Sequence, residues 1–206
     1  MPTFKYALEH ARRPLSRRAA AAISATMLAA CVTTAPAPKA PQAWELRLPA
    51  LQQASAWDLA GRAAVAIGTQ GWQASLNWRQ RGQSSEVHIS GPLGVGASAL
   101  RLTPAGLSLD GAPPGSDALA RLQDRLGFDL PLRDMRYWLL GVPAPEEAFE
   151  LVRNAEDRVQ HLEQAGWRID IDRYLPNTGD WLPGHLTLNH GDVRVRIVVD
   201  RWDLLR

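Results

Sequence analysis

Residues 72–80 of this chain read WQASLNWRQ, and their alternation constrains the fold more than any other stretch. Trp72, Ala74, Leu76 and Trp78 alternate with Gln73, Ser75, Asn77 and Arg79. A β-strand turns successive side chains to opposite faces, so one face here is apolar and the other polar. That pattern belongs to an antiparallel sheet packed on one side and wet on the other; a strand buried on both sides would read as a continuous apolar run. The same period returns at Val87 and Ile89, at Leu100 and Leu102, and at Leu107 and Leu109. Further strands are predicted over 159–163, 166–174, 185–190 and 193–202, the last with Val193, Val195, Ile197 and Val199 opposite Arg194 and Arg196. Gly82, the run Gly91-Pro92-Leu93-Gly94, and 104–106 punctuate the strands as turns.

Two helices interrupt this pattern. Ser116 is expected to cap the first, with Leu119, Leu122 and Leu126 on one stripe and Gly127 ending it. Pro131 opens the second, which carries Leu132, Met135, Trp138 and Leu139 on its apolar face and closes at Gly141. Residues 44–56 read as a short helix or irregular lead-in. Strands, then helices, then strands give an α+β arrangement, an antiparallel sheet with helices against one face.

The charge is unevenly placed. Residues 1–30 carry Lys5, Arg12, Arg13, Arg17 and Arg18 against Glu9. Without them the 23 Lys and Arg fall to 18 and the 21 Asp and Glu to 20, a net of −2, so the remaining chain has no electrostatic case for nucleic acid. Residues 12–31 read RRPLSRRAAAAISATMLAAC: a positive segment, then an apolar stretch too short to span a bilayer, then Leu28-Ala29-Ala30-Cys31. This is the pattern of a bacterial lipobox. Residues 1–30 are expected to be a lipoprotein signal peptide, and Cys31 to take a diacylglycerol and an acyl chain. An ordinary signal peptide followed by a free thiol is the other reading. Cys31 is the only cysteine, so no internal disulfide can form, and a lone thiol in an oxidising compartment is a liability unless modified. Residues 32–43, VTTAPAPKAPQA, read as a flexible Pro/Ala-rich tether that places the folded domain at 44–206.

Catalytic chemistry is hard to find. No phosphate-cradling glycine loop and no strong nucleophile motif is present. His185 and His190 are five apart on a predicted strand and face opposite ways, which argues against a shared metal. Asp170 and Asp172 share a strand face beside Arg168, opposite Trp167, Ile169 and Ile171, and are expected in solvent, with Arg194, Arg196 and Arg201 as partners. Two features remain. Eight tryptophans either fill a core or line an apolar cavity, a choice that pattern alone leaves open. Leu93 sits at the tip of a tight turn, either folded back on the sheet or protruding as an apolar finger.

In order and spacing these residues resemble the LolB family of outer-membrane lipoprotein-localisation receptors. The likeness runs through the Cys31 lipobox, Trp44, a strand opening at Gly61-Arg62, WQASLNWRQ, Gly91-Pro92-Leu93-Gly94, Leu130-Pro131-Leu132, Met135 to Pro143, Gly166-Trp167, Leu182-Pro183 and Val198 to Trp202. The resemblance implies an incomplete antiparallel β-barrel, a half-barrel whose open side is covered by helices over an apolar cavity. It implies a protein that is not an enzyme and has no metal or other cofactor. Its members take acylated lipoprotein cargo from the periplasmic carrier LolA and place it in the inner leaflet of the outer membrane. For this chain that would mean a monomer, lipid-anchored at Cys31 and facing the periplasm. Leu93, with Pro92 and Gly94, would form the membrane-insertion loop, and Leu76, Trp78, Trp138 and Trp167 would line the acyl cavity. A lipid- or glycolipid-binding lipoprotein with a similar half-barrel and different cargo is the alternative.

Overall fold

A computed structural model describes residues 43–91 and 96–205. Helix α1 (Trp44–Gln52) leads into β1 (Ala56–Ile67), β2 (Gln70–Arg81), β3 (Ser84–Ser90), β4 (Ser98–Thr103) and β5 (Gly106–Leu109). Helices α2 (Ser116–Leu126) and α3 (Leu132–Trp138) follow. The chain closes with β6 (Phe149–Arg153), β7 (Val159–Gln164), β8 (Trp167–Asn177), β9 (Asp180–His190) and β10 (Val193–Leu204). The ten strands form one sheet, β5-β4-β3-β2-β1-β10-β9-β8-β7-β6, with every neighbour antiparallel. It is an open sheet: β5 and β6 are its two edges and do not pair with each other.

This order dictates where the helices run. The first five strands step outward from β1, and the last five return from the far edge to pair β10 with β1. The stretch between β5 and β6 must therefore carry the chain from one edge to the other. Ala118, Leu122 and Leu126 of α2 and Leu132, Met135 and Trp138 of α3 join the same buried apolar cluster as the inner faces of the strands. Gly127 ends α2 in the left-handed conformation at φ 81°, as expected of a glycine cap. Two details of α2 differ from the sequence reading. Gly115 occupies the N-cap and Ser116 is already helical. Leu119, placed on the buried stripe, is exposed, and Ala118 takes that place. Leu122 and Leu126 stay buried, so the stripe runs at a spacing of four from Ala118 and not of three from Leu119.

The strand boundaries also shift. Gly61 is not a strand opening but lies inside β1, at a bulge where β10 inserts an extra residue between Val199 and Arg201. A Cβ at Gly61 would meet the Val198 carbonyl oxygen at 2.3 Å, so only glycine admits this approach. β8 and β9 run on to Asn177 and Asp180, through Pro176 and Pro183, with register irregularities at Arg173 and Tyr174 that accommodate proline inside a ladder. β6 was not foreseen. It is an edge strand exposed on both faces, so Phe149-Glu150-Leu151-Val152-Arg153 has no burial pattern to betray it.

Helix α1 buries Trp44, Arg47 and Leu51 along one stripe. The Trp44 N–H donates to Asp157 Oδ2 at 2.8 Å, and Arg47 Nε to Asp180 Oδ1 at 2.9 Å. Arg47 also donates to the Trp181 carbonyl. These partners sit in the β6–β7 turn and at the start of β9, so α1 packs at that end of the sheet. The β1–β2, β7–β8 and β9–β10 turns lie at the opposite end.

Candidate functional site

The four residues expected to line a cavity are all buried and all within the main apolar cluster. The structure divides them into two groups. Leu76 and Trp78 share the inner face of β2, where Trp78 stands opposite Leu59 and Val87. Its ring stacks on Trp57 at 6.0 Å, and Trp57 meets Trp202 edge-on at 5.4 Å. Trp138 of α3 packs on Trp167 of β8 at 6.4 Å, and Trp167 in turn meets Phe128 at 6.2 Å. Among the described residues no ring contact joins Trp78 to Trp138. An open groove of about 550 Å³ reaches Trp167 past Phe149 and the β7–β8 turn. Cys31, Pro92, Leu93 and Gly94 lie outside the described residues.

Two buried glutamines, which the sequence reading passed over, fix these indoles. Trp78 Nε1 donates to Gln80 Oε1 at 3.2 Å; Ser85 Oγ donates to the same oxygen at 2.6 Å, and Gln80 Nε2 donates to the Gly82 carbonyl at 2.9 Å. Trp138 Nε1 donates to Gln164 Oε1 at 2.9 Å, and Gln164 bonds both the N–H and the carbonyl of Ala144. A buried indole N–H needs an acceptor, and each glutamine supplies one without placing a charge on an apolar face. The signal was present in the sequence: Gln80 falls on the apolar register of β2, two residues past Trp78.

The outer face holds the titratable groups. Asp170 Oδ1 is 2.5 Å from His161 Nδ1 and accepts from Arg168 at 3.4 Å, while Asp172 pairs with His185 at 2.6 Å. The expected pairing with Arg194, Arg196 and Arg201 does not form. Arg194 Nε donates to Asn189 at 3.1 Å, Arg201 lies by Asp203, and a bulge at Asp172 turns its carboxylate toward β9. Each aspartate is thus held by its own histidine on the outer face, with Asp170 partly and Asp172 largely exposed. His190 stacks on Trp167 at the opposite face from His185. Among the described residues no group of three or more His, Cys, Asp or Glu side chains is placed to hold a metal.

Three ionisation shifts are structural. Burial pushes the Tyr174 phenol up, against the opposing charges of Arg47 and Arg158; its hydroxyl donates to the Val159 carbonyl at 2.7 Å. The Arg125 guanidinium, hydrogen-bonded to Asp110, holds that carboxyl below the usual range and ties α2 to the start of the β5–α2 connection. Burial, with Glu147 adding repulsion, raises Asp134 at the start of α3.

The site is thus an open antiparallel sheet with an apolar inner face, its indoles fixed by neutral amides and the Asp170 and Asp172 carboxylates outside. The fold is similar to that of the LolA superfamily protein NE2245 from Nitrosomonas europaea, with a TM-score of 0.52 at 10% identity, covering 80% of this chain and 94% of that one. Residues 55–202 match the family model described as outer membrane lipoprotein LolB. Proteins named outer-membrane lipoprotein LolB are similar along most of the chain. That of Nitrosococcus oceani is 36% identical, over 88% of this chain and 94% of its own length. That of Pseudomonas aeruginosa PAO1 is 33% identical over 78% and 80%, and that of Chromohalobacter salexigens 30% identical over 87% and 86%. The chain belongs to the LolB family: it is an outer-membrane lipoprotein that serves as a lipoprotein-localisation receptor, not an enzyme, and it needs no cofactor.

Proposed function

We propose that this receptor accepts acylated lipoproteins from a LolA-like carrier and inserts them into the inner leaflet of the outer membrane, acting as a monomer anchored through Cys31. In this reading α2 and α3 cover the open side of the half-barrel. Acyl chains lodge between them and the sheet, against Leu76, Trp78, Trp138 and Trp167. Leu93, on its Pro92 and Gly94 turn, touches the bilayer. The observation that carries the reading is the inner face itself, where one continuous apolar cluster is contributed by the strands and by both crossing helices.

The energetics suit it. Each acyl methylene taken out of water is worth about 0.8 kcal/mol, so a chain of roughly 16 carbons exposed in the periplasm would cost on the order of 10 kcal/mol. An apolar chamber must therefore replace water at every stage. No nucleotide-binding motif supplies work, so direction comes from affinity: carrier below receptor, receptor below bilayer.

The test is transfer. The mature protein carrying Cys31→Ala is mixed with the carrier loaded with an acylated lipoprotein, and the cargo should move to it and co-purify. Emission from Trp78 and Trp138 should shift as acyl chains arrive, and Trp78→Phe or Trp138→Phe should remove part of that shift. Cargo that stays on the carrier, while the protein instead co-purifies with free lipid, would replace this reading with that of a lipid-binding lipoprotein.

A further inference from the structure

The inner face of β2 grades from buried to exposed along a single register. Trp78 is 2% exposed, Leu76 4%, Ala74 8% and Trp72 37%. Trp72 stands at the β1–β2 turn, paired with Val65 on one side. On its other side β3 stops at Ser90, opposite Ser75, so Trp72 has no described strand beside it. A large indole at a sheet end, half in contact with apolar neighbours and half in water, has the amphipathic placement that tryptophan adopts at membrane–water interfaces.

The opposite face of the same end is basic. Across the sheet, Arg194 aligns with Ala66 and then Gly71, and Arg196 with Ala64 and then Gln73. Both arginines are exposed, and among the described residues neither pairs with a carboxylate, Asp192 in the adjoining turn included. Arg62, by contrast, is neutralised by Asp200 at 3.0 Å. Because Ala64 is small, an open groove of about 450 Å³ lies between Arg62, Gln73 and Arg196. With strands about 4.8 Å apart, Arg194 and Trp72 sit roughly 10 Å from one another across β1.

We propose that Trp72, Arg194 and Arg196 form a membrane-docking edge that seats this end of the sheet on an anionic phospholipid leaflet. The indole enters the headgroup–acyl boundary from the inner face, and the two guanidiniums meet lipid phosphates from the outer face. The edge deepens the receptor reading, on which it rests, by naming the surface that meets the bilayer. It also gives the arginine-rich final strand a task that pairing with Asp170 and Asp172 does not fill. β3 runs toward this same end, its last residue Ser90 pairing with Ser75.

The mature chain with Cys31→Ala, which lacks the anchor, is mixed with vesicles of phosphatidylethanolamine and phosphatidylglycerol, and separately with phosphatidylcholine vesicles. It should co-sediment with the anionic vesicles, less with the neutral ones, and progressively less as salt is raised. Arg194→Gln with Arg196→Gln should weaken the anionic binding by roughly 30-fold. Brominated phosphatidylglycerol should quench part of the tryptophan emission, and Trp72→Phe should remove that part. All three positions are exposed, so thermal melting should match the parent and exclude misfolding. Unchanged vesicle binding by the double arginine variant, or quenching undiminished in Trp72→Phe, overturns the proposal. So does a double variant that binds vesicles normally but no longer takes cargo from the carrier, since the edge would then belong to the carrier. If the parent binds anionic vesicles yet accepts no acylated cargo, the docking edge stands and the receptor reading fails.

Discussion

The Trp138 indole donates to Gln164 across 26 residues of chain, at 2.9 Å, and through this bond helix α3 is fastened to strand β7. The same amide holds Ala144, so one side chain fixes both the end of α3 and the segment that follows. Gln164→Leu keeps the volume and strands the Trp138 N–H and both backbone groups of Ala144 in an apolar setting. Each unsatisfied group costs about 1–3 kcal/mol, so the variant should lose on the order of 3 kcal/mol in urea unfolding. Gln164→Glu keeps the acceptor but loses the donor to the Ala144 carbonyl and buries a carboxylate, so at neutral pH it should be no more stable than Gln164→Leu. A Gln164→Leu protein as stable as the parent would show that α3 is held by apolar packing alone.

How much of this was legible beforehand depended on whether burial leaves a period. β2 and β10 were readable because each has one face in the apolar cluster and one in water. β6 was not, since an edge strand wet on both faces leaves no such trace. Leu119 looked like a core residue by spacing, but spacings of three and of four to Leu122 both fit a helical stripe, and the helix buries Ala118 and not Leu119. Periodicity marked Leu76, Trp78, Trp138 and Trp167 as lying on apolar faces, and all four are buried; what it could not give was the separation of a Trp57–Trp78–Trp202 group from a Phe128–Trp138–Trp167 group. That division is set by which strands the topology brings together. Gln80 and Gln164 were missed because a polar residue on an apolar register reads as an interruption unless its partner is already known.

Asp134 gives the fold a pH dependence of definite sign. Burial raises its carboxyl above the ordinary range, with Glu147 adding to the shift and Arg133 opposing it. The folded state therefore binds this proton more tightly than the unfolded state. Its favourable contribution is full below the unfolded carboxylate pKa, near 4, and is lost as pH rises through the raised value. At neutral pH the charged group opposes folding, so Asp134→Asn should raise Tm there. The gain should vanish in acid, where Asp134 is protonated in both states. A gain that persists unchanged at low pH would trace to hydrogen bonding instead.

Leu93 carries a different expectation, one of kinetics. Burying a single leucine is worth about 1.5–3 kcal/mol, too little to anchor a protein and suitable for a contact that must form and break. Leu93→Glu should leave folding and cargo uptake near the parent level and stall release into liposomes, while Leu93→Phe and Leu93→Ile should work. Loss of uptake in Leu93→Glu would mean that the leucine packs against the domain.

The last expectation concerns distance. The chain reaches α1 at the end of the sheet marked by Asp157 and Asp180, whereas Trp72 and Gly166 mark the other end. The 11 residues of β8 span that length, roughly 35 Å at the rise of an antiparallel strand. The 12 residues from Val32 to Ala43 can extend to roughly 40 Å. An anchor at Cys31 would thus let the Trp72 end come down on the leaflet that holds the anchor, with little length to spare. Deleting residues 34–39 should leave folding and cargo uptake intact and slow insertion into the membrane bearing the anchored protein. Replacing the deleted residues with an equal length of glycine and serine should restore it, because reach and not sequence is what matters. Transfer followed in vesicles carrying the lipidated protein reads this directly. Insertion at the parent rate after the deletion would mean that the domain meets the bilayer by its α1 end.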